Sequence, residues 1–187
     1  MTLRTFPTPL GEMVAGACPG GLCLLEFKTR RALPGEVAEL ERLLPTMRPG
    51  PAPIDPAPDV ADHLDAAERQ LAEYFAGTRR VFDIPLVTPG TPFERAVWAG
   101  LLAIPFGATR SYGSLAAGLG KPGGMRAVGR ANGRNRISIV VPCHRVIETG
   151  GDLGGYGGGL ERKRWLLDHE RGLAPERSTP LFGLASA

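Results

Sequence analysis

Pro142 places the tightest constraint on how this chain can fold around its reactive side chains. An apolar run with β-strand character, Ile137–Val141, leads into this proline, and Cys143 and His144 follow it directly. Proline has no N–H group to donate to a neighbouring strand, so strand pairing must end there. We therefore predict a strand that stops at Pro142, followed by a turn that exposes a thiol beside an imidazole.

The Cys143 thiol is a candidate nucleophile. A free cysteine has a pKa of about 8.5, and a nearby base or positive charge increases its thiolate fraction. His144 and Arg145 could supply both. A buried, unreactive cysteine is the alternative and the commoner fate of a free thiol. Adjacent strand residues point to opposite faces, so contact between the thiol and the imidazole requires the turn.

The charge of the chain is unevenly distributed. Residues 1–90 contain 9 basic and 12 acidic residues, a net charge of −3, whereas residues 91–187 contain 13 basic and 7 acidic residues, a net charge of +6. A basic half joined to an acidic half is typical of a protein in which one domain binds a polyanion. Arginines that merely solvate a surface are the alternative, because the chain uses arginine in preference to lysine throughout.

Several classes of protein are not expected. The sequence has neither a long apolar run nor a signal-peptide pattern, and its three cysteines are an odd number that argues against a disulfide framework. We expect a cytoplasmic protein without a membrane partner. Cys18, Cys23 and His63 form too weak a pattern for a metal site, and buried apolar cysteines are the favoured interpretation.

The first half of the chain contains alternating strand and helix signals. The predicted elements are hairpin strands at 3–6, 13–16 and 22–27, helices at 34–44 and 59–75, and a strand at 81–84. The proline-dense segment 45–58 between the helices should be irregular. We expect a first domain at 1–88, a second at 89–174 and a disordered tail at 175–187.

The second half begins with a strong helix start. Thr91 can cap the helix, Pro92 occupies a position where its missing N–H costs nothing, and Glu94 completes a capping box. Ser111 should cap a second helix, which a Gly-Lys-Pro break separates from a third helix at 123–133. Two short helices with a tight break predict a helix-turn-helix.

The third helix should carry a basic ridge. Arg126, Arg130 and Arg134 recur at intervals of four, and small residues such as Ala127 lie between them. Small residues allow close approach of either a DNA groove or the neighbouring helix, and both interpretations stay open.

The end of the chain supplies possible partners for the reactive pair. Asn135 can hydrogen-bond turn backbone. The glycine-dense segment 150–159 lacks the pattern of a phosphate-binding loop, so we interpret it as a mobile loop beside a pocket, with Tyr156 either as a wall or as an ordinary loop aromatic. A final helix at 160–171 should turn Glu170 toward the core, where a buried carboxylate needs a partner. That partner is either His144 or an arginine such as Arg145.

These residues occur in an order found in a known family. The sequence resembles the O6-alkylguanine-DNA alkyltransferases, also called methylated-DNA–protein-cysteine methyltransferases, in its motifs Pro142–Val146, Arg126–Gly129, Asn135, Tyr156 and Leu160–Glu170. The resemblance is close from about residue 91 to residue 170. Arg136 stands where the family commonly has proline.

The resemblance implies an α+β fold, with a small ribonuclease-H-like α/β domain before a mainly helical DNA-binding and catalytic domain that contains a helix-turn-helix. It also implies a role for each site residue. The catalytic residues would be Cys143, His144, Glu170, Asn135 and Tyr112, the DNA-binding residues Arg126, Tyr112, Ala127, Arg130 and Arg134, and the base-pocket residues Tyr156, Val146 and Gly157.

The implied activity is direct repair of DNA that contains O6-alkylguanine. A monomer would flip the damaged base out of the duplex and move its alkyl group irreversibly to Cys143, without a metal or other cofactor. Two other classes stay open. One is a non-catalytic DNA-binding protein, either a helix-turn-helix regulator or a damage sensor, and the other is a Cys-His hydrolase that would turn over repeatedly.

Overall fold

The computed structural model describes residues 1–46 and 59–172. The fold mixes strands and helices, and the chain divides between Pro89 and Gly90 into two units. The expected tail at 175–187 and most of the proline-dense segment 45–58 lie outside the described residues. Within the described ranges, no helix is long and apolar enough to cross a membrane.

The first unit is built on an antiparallel sheet. Its strands are β1 (Thr2–Phe6), β2 (Met13–Cys18) and β3 (Gly21–Phe27), paired in that order. Cys18 pairs with Gly21 across a tight turn, as the proline and glycine signals predict. Gly21 has a φ of 135°, and a Cβ there would collide with the carbonyl oxygen of Pro85, so this position requires glycine.

Two helices pack on this sheet, α1 (Leu33–Leu43) and α2 (Val60–Phe75). Both lie within one residue of their predicted bounds. Leu40 of α1 is buried with Leu24 and Cys23 of β3. Cys23 is therefore the apolar core cysteine that the sequence favours, whereas Cys18 is only half-buried.

The predicted strand at 81–84 is wrong. The backbone N–H of Asp83 donates to the side chain of Gln70 in α2 (3.1 Å) instead of to a strand. A single parallel bridge forms slightly later, where Val87 N donates to Leu22 O (2.9 Å) and Leu22 N donates to Pro85 O (2.8 Å). A side chain from elsewhere in the unit thus replaces the ladder bond that a local strand would need.

The second unit begins with α3 (Pro92–Leu102), which confirms the predicted helix start. The hydroxyl of Thr91 accepts from Glu94 N (3.2 Å), and the carboxylate of Glu94 accepts from Thr91 N (2.8 Å). Trp98 of α3 is buried and donates its indole N–H to Ala131 O (2.9 Å), which fixes α3 against the later helix that contains Ala131.

Two short helices follow, α4 (Tyr112–Gly118) and α5 (Met125–Gly133). The Ser111 hydroxyl accepts from Ser114 N (3.0 Å), so it caps α4 as predicted. Helix α5 begins two residues later than predicted, because Gly123 has a φ of 83° and cannot belong to a right-handed helix. Val128, Ala131 and Asn132 are the buried positions of α5.

The predicted strand at Ile137–Val141 is also wrong. Ile137 makes a single bridge, residues 138–140 form turns and Val141 lies in a bend, although all of them are buried. Only short parallel strands lie nearby, β4 (Arg110–Ser111) and β5 (Val146–Ile147), and the last helix is α6 (Leu160–Glu170). The apolar side chains of residues 137–141 therefore reflect burial in the core and not pairing in a sheet.

Candidate active site

Asn135 explains why the apolar run turns. Its side-chain nitrogen donates to Val141 O (2.9 Å) and Ile137 O (3.4 Å), and its side-chain oxygen accepts from Ile137 N (3.0 Å). The amide thus satisfies backbone groups that a strand would pair with a neighbour. The turn it supports holds Ile139 at a φ of 72°, which is strained for a β-branched residue. Such strain is found at functional sites, where surrounding contacts enforce it.

The cysteine and histidine follow in one turn of 3₁₀-helix, Cys143–Arg145. This turn supplies the bend that the motif requires. The thiol is not exposed as predicted, because Cys143 is only 5% exposed. A substrate atom must therefore enter a recess to reach the sulfur.

Glu170 binds both of the partners that the sequence left as alternatives. Its Oε1 lies 2.8 Å from His144 Nε2 and accepts from Arg145 Nη2 (3.0 Å). Its Oε2 accepts from Arg145 Nε (2.8 Å) and from Gly107 N (3.0 Å). The carboxylate is fully buried, yet four donors satisfy it. Arg145 is anchored further by donating to Ile104 O (2.6 Å).

The electrostatics of this cluster fix the tautomer of His144. Burial raises the pKa of Glu170, but the hydrogen bonds from His144 and Arg145 and the charge of Arg145 outweigh burial and hold that pKa well below its usual range. Burial lowers the pKa of His144, and the charges of Arg145 and Lys163 add to this against the opposing effect of Glu170. A neutral imidazole beside an ionised carboxylate donates its Nε2–H, so Nδ1 carries the lone pair. Nδ1 has no hydrogen-bond partner among the described residues.

Lys163 is a site residue that the sequence reasoning missed. Its ammonium group is fully buried and donates to Val146 O (2.6 Å), Gly155 O (3.2 Å) and Leu153 O. Burial lowers its pKa to about 8, while the charge of Cys143 acts in the opposite direction. Lysine is mostly exposed in proteins and is almost never fully buried unless it is paired. A lysine on α6 is therefore expected at the surface, and the sequence gave no signal of its burial.

The glycine-dense segment is held by α6. Besides the three carbonyls that Lys163 binds, Arg162 donates to Gly158 O (2.8 Å). Tyr156 is half-buried and Gly157 is exposed within this segment. Two cations on neighbouring positions of one helix thus fix the backbone that carries Tyr156.

Tyr112 is buried at the start of α4. It is 8% exposed, and burial raises its pKa, with the charges of Glu148 and Cys143 acting in the same direction. Its ring lies under α5, since a Cβ on Gly129 would be 3.9 Å from it. Tyr112 therefore remains a protonated phenol at neutral pH.

The basic ridge of α5 is only partly as predicted. Arg126, Ala127 and Arg130 are exposed on one side of the helix. Arg134 is exposed too, but it donates to Glu94 Oε1 (2.7 Å), so part of its charge is already compensated.

Known proteins are similar to this chain in sequence. A family profile described as "6-O-methylguanine DNA methyltransferase, DNA binding domain" matches residues 92–172. A methylated-DNA–protein-cysteine methyltransferase of Salmonella typhimurium is 61% identical over 102 residues, which are 54% of this chain and 60% of that protein. The protein of that name from Mycobacterium bovis is 54% identical over 112 residues, 60% of this chain and 68% of the relative.

Solved structures extend the match over most of the chain. The crystal structure of Mycobacterium tuberculosis OGT in complex with DNA is similar with a TM-score of 0.74 and 40% identity, covering 93% of this chain and 95% of that one. O6-methylguanine-DNA methyltransferase from Pyrococcus kodakaraensis gives a TM-score of 0.57 at 29% identity, covering 90% and 97%. The family resemblance seen in the sequence motifs is thereby confirmed, and the chain belongs to the methylated-DNA–protein-cysteine methyltransferase family.

Proposed function

We propose that this protein repairs alkylated DNA by moving the alkyl group from the O6 atom of guanine to the sulfur of Cys143. The observation that carries the proposal is the buried contact of His144 Nε2 with Glu170 Oε1 (2.8 Å), directly beside the cysteine in sequence. This contact leaves Nδ1 of a neutral imidazole as the available base.

The reaction begins with removal of the thiol proton. Nδ1 of His144 takes this proton through a bridging water, and Glu170 stabilises the imidazolium that forms. The thiolate then attacks the alkyl carbon, forming the C–S bond while the C–O bond to guanine breaks. The electron pair stays on the guanine oxygen, and the leaving base takes up a proton, for which the phenol of Tyr112 is the donor we assign.

The product is a thioether, and nothing in the proposed chemistry regenerates the thiol. Each molecule should therefore act once. The alkylated DNA is itself the alkyl donor, so we propose no metal and no organic cofactor.

DNA docking is assigned to α4 and α5 as a helix-turn-helix. Arg126 fills the space left by the extruded base, Tyr112 crowds the neighbouring phosphate, and Ala127 permits close approach to the groove. Arg130 supplies a phosphate contact, with a smaller contribution from Arg134 because of its ion pair with Glu94.

The extruded base would lie against the segment that α6 holds in place. We assign Tyr156 as one wall of this pocket, with Gly157 leaving space beside it. The carbonyl oxygen of Val146 accepts one hydrogen bond from Lys163 (2.6 Å). Its second lone pair can accept a hydrogen bond from an N–H group on the guanine edge.

We further propose that the two units have different roles. We assign residues 89–174 to DNA binding and catalysis in a cytoplasmic monomer. Residues 1–88 would form a supporting domain related to ribonuclease H, with β1–β3 as its sheet.

The test is a titration of the protein with a duplex that contains one O6-methylguanine. We expect one guanine restored per protein molecule, followed by no further reaction. Cys143→Ala should bind the duplex without repairing it, and Cys18→Ala, which alters a half-buried thiol outside the site, should behave as the original protein. Repeated turnover would indicate a hydrolase-like catalyst, whereas binding without repair by the original protein would indicate a damage sensor.

A further inference from the structure

Met125 is an exposed apolar side chain at the start of α5. Large hydrophobic residues are usually buried, but Met125 is 47% exposed. In the described part of the second unit, Leu102 and Leu160 are the other large hydrophobic residues that are this exposed. Neither belongs to α4 or α5. Of these three residues, Met125 alone lies in the pair of helices to which we assign DNA docking.

The methionine points toward the side of α5 that adjoins α4. Its sulfur lies 3.5 Å from the position that a Cβ on Gly113 would occupy, and Thr149 Oγ1 lies 3.6 Å from the same position. Gly113 is the second residue of α4 and follows Tyr112, which we assign to the site. Met125 therefore lies at the surface against the start of α4, next to the residue that follows Tyr112.

Exposed cations adjoin this apolar group. Arg126 is the next residue, Arg130 lies on the same helix, and Lys121 precedes it in the chain; all three are exposed. Cations bind the phosphates of a duplex, whereas an uncharged side chain beside them can pack on sugars and bases. Methionine is flexible and polarisable, and apolar side chains inserted at base steps are a known way of holding a duplex unstacked.

We propose that Met125 is an apolar wedge that packs on the nucleotide beside the extruded guanine and keeps the gap in the duplex open. This inference rests on the proposed function and adds a contact to it. Met125 carries no charge, so it contributes to affinity without neutralising a phosphate.

The experiment compares Met125→Ala with Met125→Leu, which keeps the apolar volume, and with Leu102→Ala, an equally exposed change on α3. The probe is a duplex that contains one O6-methylguanine next to a fluorescent base whose emission rises on unstacking. Affinity and fluorescence are measured over a series of salt concentrations, and thermal unfolding confirms that each variant is folded.

We expect Met125→Ala to bind about tenfold more weakly, because most of the apolar contact is lost. The fluorescence rise should shrink with it, while the slope of log K against log salt stays unchanged because no ion pair is lost. Met125→Leu should retain most of the affinity, and Leu102→Ala should match the original protein.

Unchanged affinity and fluorescence in Met125→Ala would overturn the inference, as would a similar loss in Leu102→Ala or a Met125→Leu variant as weak as Met125→Ala. A change in the salt slope would also overturn it. These outcomes differ from failure of the proposed function, in which the original protein itself would transfer no methyl group to Cys143.

Discussion

Glu170 Oε1 lies 2.8 Å from Nε2 of His144, and solvent reaches neither side chain. The same carboxylate holds Arg145 through two further hydrogen bonds, so one acidic group orients the imidazole while its charge is balanced by a guanidinium. A buried ion pair is costly to form but still more costly to break on one side. The orientation of the His144 imidazole is therefore tied to the stability of this buried ion pair.

Replacing Glu170 by glutamine should impair both stability and reaction. The amide keeps the shape of the carboxylate but leaves Arg145 buried without its counter-charge, so we expect a loss of about 3–5 kcal/mol in the free energy of unfolding. Alkyl transfer should slow by about a hundredfold or more, because general acid–base assistance of this kind contributes on that scale. Urea unfolding and single-turnover kinetics measure the two effects.

The matched control is Glu161→Gln, an exposed change in the first turn of the same helix. It should alter neither quantity. If Glu170→Gln proved as stable and as fast as the original protein, the role assigned to this carboxylate would be wrong.

The rate of alkyl transfer should resist mild acid. Because burial lowers the pKa of His144 below the usual 6.5, Nδ1 stays unprotonated as the pH falls through that value. We expect the rate to hold until the pH is clearly below the ordinary histidine range and to fall only then. Single-turnover rates from about pH 8 down to about pH 5 test this, with circular dichroism at each pH to confirm folding. A fall centred at or above the ordinary value would contradict a neutral, buried base.

Lys163→Met should loosen the segment that carries Tyr156. The variant removes the donor to three backbone carbonyls, of which the bond to Val146 O is fully buried. One unpaired buried acceptor costs about 1–3 kcal/mol, so we expect a loss of that order in the free energy of unfolding. Hydrogen exchange should increase at residues 153–158, and alkyl transfer should slow. Lys163→Arg should not restore the original rate, because a planar guanidinium cannot replace a compact ammonium in this cage.

Arg164→Met is the control for Lys163→Met, since Arg164 is the exposed neighbour on the same helix. Equal exchange and rates in Lys163→Met and Arg164→Met would show that the buried ammonium does not position the segment.

The two arginines at the end of the basic ridge should differ in their effect on DNA binding. Arg130→Ala should weaken binding at any sequence and reduce the salt slope by about 1, the change expected for one lost phosphate contact. Arg134→Ala should have a smaller effect, because its Nη1 lies 2.7 Å from Glu94 Oε1 and the pair already offsets its charge. Binding isotherms over a salt series measure both slopes. A larger loss for Arg134→Ala would mean that the pair opens when DNA binds.

Local signals in the sequence predicted the helix starts well. The capping box of Thr91 and Glu94 depends on residues three apart, so it can be recognised without knowing the rest of the fold. The bend at Cys143 was predictable for a similar reason, because Pro142 rules out continued strand pairing whatever surrounds it.

The features that the sequence did not predict depend on which hydrogen-bond partners the fold brings together. The run Ile137–Val141 has the composition of a strand, but the amide of Asn135 takes over its backbone hydrogen bonds. Periodicity placed Glu170 toward the core without choosing between two partners, and the structure gives it both because a carboxylate has two oxygens. Lys163 had no signal at all, since its burial depends on three carbonyls brought together by the fold.

The most direct test of the account is the mass of the protein after reaction. The protein is mixed with a duplex that contains one O6-methylguanine, and an intact-protein mass spectrum is followed by a peptide map. We predict that one methyl group replaces one hydrogen on the peptide that contains Cys143, reaching at most one per chain however much DNA is added. An unchanged mass after the guanine has been restored, or a methyl group on Cys18 or Cys23 instead, would contradict the assignment of Cys143 as the acceptor.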